Sequence, residues 1–438
     1  MNKKSIVFYT DWLAIIVGVL ALYSLPHGIG GDAGTRYDAL TQLLETGQLS
    51  TMKYSMIGPL FSSPLWFLGK LSMDSNWWVA RFNFFIFVLG LIALFLLLRH
   101  RLPARTLRIF LIILTYASMF PFHITTYYGE LFTAVLVAVG IAAASHRSAW
   151  CTWLIPIIGA ANTPGSVPGL CLVSLSEMVK KRRWKYIGIA VGVAGLVLFE
   201  AWLRRGSPAT TGYEGNSGVT TPQPYSGLPG FSYPFFFGVL SIILSFGKGV
   251  IFYASGLFIP FKHVWKRISP ELRDMHTKWL LFTFGLLLVY ARWWAWPGNE
   301  FWGPRFFLFA SFPASFALAL LIQEKRSSFL MHTITLCSLL LSFWVGLSGI
   351  VYGQFDYAVC LQENFKYDVI CLYVPEFSEL WRPFVVYHAL EPSQKILLIL
   401  WGLVFLYLAI PLAVRLVRQG TLILKQWIFG KAGAPWQW

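Results

Sequence analysis

Long runs of apolar residues, each closed by a short polar stretch, recur from one end of the chain to the other. They fall at 6–25, 79–98, 107–120, 131–144, 186–203, 249–261, 279–291, 306–322, 329–351 and 396–414. Most approach the length needed to cross about 30 Å of hydrocarbon as a helix. The period-two alternation of a membrane barrel is absent, so helices must satisfy the backbone hydrogen bonds in lipid. Residues 150–178 are interrupted by Pro and Gly at 160–168, which predicts a short hairpin or two half-helices. The stretch 232–245 is placed at the outer interface. The expectation is an all-α polytopic membrane protein with about twelve crossings, residues 1–438 forming a single transmembrane domain. The first run carries Asp11 and Trp12 and lacks a small-residue cleavage site, so it is expected to remain as the first span.

Three polar segments stand out. In the first outer loop, 26–78, Tyr37, Leu40, Leu43 and Leu44 recur at helical spacing with Asp38, Thr41, Gln42 and Glu45 opposite, and Gly47 follows as a stop. This predicts an amphipathic helix on the membrane surface, with Asp32 just before it. Asp32 or Thr35 could equally be an N-cap, because Thr35 and Asp38 imitate a capping box. Segment 204–234 is rich in Gly, Pro, Ser and Thr and predicts a mobile outer loop or a flap ordered by substrate. Segment 352–394 is the long last outer loop.

Charge orients the spans. Arg99, Arg101, Arg105, Arg108, then Lys180, Lys181, Arg182, Arg183 and Lys185, then Lys262, Lys266 and Arg267, then Lys325 and Arg326 alternate with acid-richer loops. By the positive-inside bias both termini are cytoplasmic. Asp32, Asp38, Glu130, Glu214, Glu300, Asp356, Glu363 and Asp368 are then outside. Mean hydropathy is +0.61, and the net charge of +16 is assigned to this bias and its attraction to anionic lipid. Nucleic acid is therefore not an expected partner. Cys151, Cys171 and Cys337 fall in apolar segments, whereas Cys360 and Cys371 share the last outer loop, where an oxidising compartment predicts a disulfide.

Candidate chemistry gathers at the outer face. Asp32 is an isolated acid just past the first span, with Arg36, Tyr37, Lys53 and Tyr54 nearby in sequence. Glu130 opens a helix after Tyr127 and Tyr128, where a carboxylate either complements the helix dipole or binds a hydroxyl between aromatic platforms. Arg305 follows Gly303 and Pro304 in a tryptophan-rich loop, against the positive-inside trend, and its planar fork suits phosphate oxygens. Lys248 is another outer cation between two glycines. Interfacial snorkelling and an aromatic belt are the ordinary alternatives for these last two segments.

Several motifs carry a family resemblance: GGDAGTRYDALTQLLETGQLS followed by KYSMIGPLFSSPLWFLG, the YYGE element, PYSGLPGFSYPFFFG with SFGKGVIFY, and W-x-G-x-x-F-WGPRF. From about residue 12 to 322 the chain resembles bacterial GT-C membrane glycosyltransferases, in particular the protein O-mannosyltransferase and aminoarabinose transferase group. Many members carry an Asp-Glu pair where this chain has Asp32 followed by Ala33, which leaves the acceptor and any metal open. The resemblance implies an inverting transferase that takes a sugar from a polyprenyl phosphate at the outer face of a bacterial cytoplasmic (inner) membrane. Asp32 would be the base for the acceptor hydroxyl. Arg305, Lys53, Arg36 and Lys248 would face the lipid phosphate. Glu130, with Tyr37, Tyr54 and Tyr128, would contact substrate, and a divalent cation, if used, would sit on Asp32 and Glu130. Two other classes compete: a lipid-linked sugar flippase or transporter, and an O-antigen polymerase or ligase using Arg382 and His388 of the last loop.

Overall fold

A computed structural model of the 438-residue chain describes residues 3–429, apart from 147–148, 215, 261, 299–300 and 354–357. Glu300 and Asp356, expected among the outer acids, lie outside the described residues. Among the described residues the regular structure is helical, with only two isolated bridges, Gly28 to Thr126 and Ser217 to Pro229.

Among the described residues seven helical segments are long and apolar enough to cross a membrane: Ser5–Ser24, Ser75–Leu98, Gly129–His146, Trp184–Arg205, Arg305–Gln323, Phe329–Val351 and Pro392–Ile428. Other expected crossings fall on shorter or more polar helices, namely Ala104–Tyr116, Leu154–Ala161, Val167–Lys181 and Pro270–Tyr290. The first of these is shielded by protein. From Thr106 to Tyr116 every residue is buried, so a helix of 13 residues meets helices rather than lipid. Outer helices show the converse pattern. Leu13, Ile16 and Leu20 on the first helix and Leu403, Leu406 and Ile410 on the last are exposed, as lipid-facing surfaces require.

One expected span is not a helix of spanning length. In place of 249–261 the chain forms two single turns, Val250–Tyr253 and Ser255–Phe258. The reason is close packing: a Cβ on Gly256 would come within 2.4 Å of the Ala314 carbonyl oxygen, so this segment passes directly against the central helix Ser311–Gln323. The longer helix here is Phe235–Leu244. The last helix, in contrast, runs well past the expected 396–414, as Pro392–Phe429 with Pro411 inside it.

Charged residues are buried at two depths. Asp11 is fully buried within the first helix, where Arg108 donates to it at 2.8 Å and Tyr407 at 2.7 Å. Helix Gly129–His146 separates two further groups. Glu130 lies in its first turn, whereas Ser145 near the other end accepts a hydrogen bond from Lys278 at 3.2 Å. Eighteen residues of helix hold these ends about 27 Å apart.

Candidate active site

The surface helix begins one step earlier than its pattern suggests. Asp32 is the first residue of Asp32–Thr46 rather than a residue before it, and Gly31 turns the chain with φ 55°, where only glycine is unstrained. The helix stops at Gly47 in the left-handed conformation, as expected. Its inner stripe is Ala33, Arg36, Ala39 and Leu40. No side chain caps its N-terminus, which leaves the Asp32 carboxylate directed at other groups. Tyr54 donates to its Oδ1 at 2.5 Å and Arg305 Nη2 donates to its Oδ2 at 3.0 Å.

Arg305 is the centre of the cluster. Its Nε lies 3.7 Å from Glu130 Oε1, so one guanidinium spans two carboxylates from segments nearly a hundred residues apart. It stacks near the rings of Tyr128 at 5.1 Å, Phe301 at 5.5 Å and Phe306 at 5.0 Å, and is 8% exposed. Glu130 Oε2 is buried with no hydrogen-bond partner among the described residues. Glu130 and Arg305 border a cavity of about 280 Å³ including its mouth, whose lining also includes Thr133, Thr163, Ser166 and Tyr290.

Electrostatics set the protonation states. Burial pushes the Asp32 carboxyl up, but Arg305, the Tyr54 hydrogen bond and Arg36 together hold it below the usual carboxylate value. Burial and the Asp32 contact push the Tyr54 hydroxyl up, so it stays a donor. His123 lies behind the cluster, its ring 5.0 Å from Phe301; burial and then Arg305 and Lys248 lower its pKa to about 3. It is neutral at physiological pH. Of the two carboxylates around Arg305, Asp32 is the more exposed, its side chain 30% accessible against 11% for Glu130.

Other expected residues fall into two sets. Arg36 is buried, donates to the Ser55 carbonyl at 3.2 Å and lies over the Tyr54 ring at 4.9 Å. Lys53 is half-buried, with Nζ 5.3 Å from the Tyr54 ring and 5.5 Å from that of Tyr213. Both therefore pack on the ring of Tyr54, the residue that donates to Asp32. Tyr37 instead packs in a small apolar cluster with Leu40, Trp66 and Phe132. Lys248 departs from the phosphate role expected of it: it is fully buried, 2.7 Å from Glu379 and donating to the Phe301 carbonyl. Glu379 in turn accepts from the Gly303 amide at 3.1 Å. The pair braces the loop that delivers Arg305. For a divalent cation the donor set is poor, since Asp32 and Glu130 already flank a guanidinium, and no group of three or more His, Cys, Asp or Glu occurs among the described residues. Cys360 and Cys371 are joined by a disulfide, Cα atoms 6.2 Å apart.

Sequence reasoning missed the residues that hold these segments together. Asn162, in the broken stretch after Leu154–Ala161, accepts from the Gly58 amide at 2.8 Å and donates to the Gly129 carbonyl at 2.9 Å. Asn83 donates to the Thr126 and Tyr128 carbonyls. Arg204 grips the carbonyls of Ser50, Met52 and Tyr54, each within 2.8 Å, and pairs with Glu200. From loop 204–234, Tyr213 reaches Tyr54, ring centroids 6.5 Å apart.

No protein-family model matches the chain, and no curated protein matches it in sequence. Among solved structures, the crystal structure of ArnT from Cupriavidus metallidurans in the apo state is similar, with TM-score 0.50 and 15% identity over 94% of this chain and 78% of that one. The chain therefore shares the all-helical, polytopic fold of that structure, the kind of fold that the resemblance of its motifs implies.

Proposed function

We propose that this protein is an inverting glycosyltransferase that moves a sugar from a polyprenyl phosphate to an acceptor hydroxyl, at the outer face of a bacterial cytoplasmic membrane. The observation that supports the proposal is the Asp32–Arg305–Glu130 bridge: two carboxylates sharing one guanidinium on an ArnT-like fold. In the reaction the acceptor oxygen bonds to the anomeric carbon, the bond from that carbon to the phosphate oxygen breaks, and the proton passes to Asp32. The leaving group is a phosphate, which needs charge stabilisation more than protonation.

The cluster supports a division of labour. Arg305 is already held by two carboxylates, whereas Lys53 lies over two tyrosine rings and makes no ion pair among the described residues. Lys53 is then the first cation a lipid phosphate meets, and Arg305 the second. As the phosphate draws Arg305, Asp32 loses the charge that lowers its pKa and becomes a stronger base. Donor arrival thus activates the base. Glu130 Oε2, buried without a partner, is an acceptor for a sugar hydroxyl.

The test is binding of polyprenyl phosphate to the protein in nanodiscs. Arg305→Ala and Lys53→Ala should each weaken it by about tenfold or more, with Arg305→Lys intermediate because the charge persists without the fork. Unchanged affinity in both alanine variants would remove the phosphate from this site.

A further inference from the structure

A second cleft lies on the other side of the tryptophan loop. It encloses about 700 Å³ including its mouth, and its walls include Tyr225, Tyr233, Trp294, Trp296, Phe365 and Asp368. It is larger than the cavity beside Arg305 and shares none of its lining residues.

The walls are built. Tyr225 and Tyr233 pack edge-on, ring centroids 4.7 Å apart, and Tyr233 shares a hydroxyl chain with Tyr373 and Ser241 at 3.1 and 2.7 Å. A Cβ on Gly218 would lie 2.8 Å from Trp294 Cε3, so the loop backbone lies flat on that indole. The Trp294 Nε1 donor is buried and has no hydrogen-bond partner among the described residues. Thr221, Gln223 and Ser226 add hydroxyl and amide groups, and they sit in a turn whose own hydrogen bonds fix it.

The chemistry selects a ligand class. Aromatic faces with short polar groups between them match molecules that present C–H faces and hydroxyl edges. Among the described residues Asp368 is the one formal charge in the lining and no Lys or Arg lines the cleft, so a phosphate or carboxylate would be desolvated there without a cation from them. We propose that this cleft binds an uncharged saccharide, with Trp294 as its stacking platform. Binding is argued from the cleft's own residues, while its use in transfer rests on the transferase reading above. Geometry links the two sites. Tyr54, Tyr213, Trp293 and Trp294 form a series of ring contacts at 6.5, 5.7 and 6.1 Å, and a Cβ on Gly298 in the same loop would lie 2.8 Å from Arg305 Nε. One loop therefore carries the phosphate-facing arginine on one side and the saccharide platform on the other.

The experiment is saturation-transfer NMR with a panel of methyl hexosides, methyl pentosides and methyl N-acetylhexosaminides added to the full-length protein in nanodiscs. At least one should bind with Kd of about 10 mM or tighter. Trp294→Ala should abolish that binding, Trp294→Phe should retain most of it, and Asp32→Asn should leave it unchanged, so that failure of the transferase reading is told apart from failure of the cleft. Competition identifies the source. If the donor's sugar fills the cleft, a polyprenyl-phosphate sugar displaces the probe and bare polyprenyl phosphate does not; if an acceptor glycan fills it, the probe stays bound with either lipid. No binding by any member of the panel, or binding that survives Trp294→Ala, overturns the proposal.

Discussion

Two charged clusters occupy opposite ends of helix Gly129–His146, and they are built differently. At one end Lys278 meets Glu177 and Asp274, each at 2.5 Å, and Glu177 and Asp274 also pair with Lys181 and Lys180. Every carboxylate oxygen of Glu177 faces an ammonium, and the partners sit on two packed helices at fixed spacing. At the other end a single guanidinium is shared by Asp32 and Glu130, one Glu130 oxygen has no hydrogen-bond partner among the described residues, and the chain segments that meet are loops and first helical turns. The first arrangement satisfies charge and locks helices together. The second leaves a buried acceptor without a hydrogen bond among the described residues, which is what the proposed site requires and a brace does not.

That contrast can be broken in order of effect. Asp32→Asn should lower turnover by about 10²–10⁴-fold with donor binding kept, measured as polyprenyl phosphate released. At the far cluster, Glu177→Gln removes a charge facing two lysines and should lower stability by about 3–5 kcal/mol, read by thermal inactivation, while protein that remains folded turns over normally. If Glu177→Gln instead abolished turnover in folded protein, the two ends would not be functionally distinct. Arg204→Met frees the carbonyls of residues 50–54 and should lower kcat through misplacement of Tyr54 by about tenfold, with Arg204→Lys recovering part of it.

The smallest effect sharpens the electrostatic account. The Asp32 pKa is depressed, so its contribution to stability and its basic form are complete above the ordinary carboxylate value near 4 and are lost as pH falls through the lower folded value. Tyr54→Phe removes one of the contacts that lower it. The acid limb of kcat/KM should therefore move to higher pH, with a loss at neutral pH of only a few fold. A limb that stays in place, or moves to lower pH, would show that Tyr54 does not tune Asp32.

Much of this was legible in the residues because membrane proteins restrict where charge is tolerated. Asp32 and Arg305 stood out as isolated charges beside apolar runs, and the structure puts them 3.0 Å apart. Lys248 had the same appearance yet is bound to Glu379, because sequence does not reveal which buried cation has a partner more than a hundred residues away. Asn162 and Arg204 were illegible for a related reason: each acts on backbone carbonyls and amides, which every residue possesses. The span lost at 249–261 failed because hydropathy sees composition and not the contact between Gly256 and the neighbouring helix.

The most direct test of the transfer reading is release of polyprenyl phosphate from a polyprenyl-phosphate sugar by the protein in nanodiscs, with an extract of envelope acceptors supplied. The account predicts release by the native chain and its loss in Asp32→Asn, which still binds donor. Release at the native rate by Asp32→Asn, or movement of intact donor between leaflets with no release at all, would contradict it.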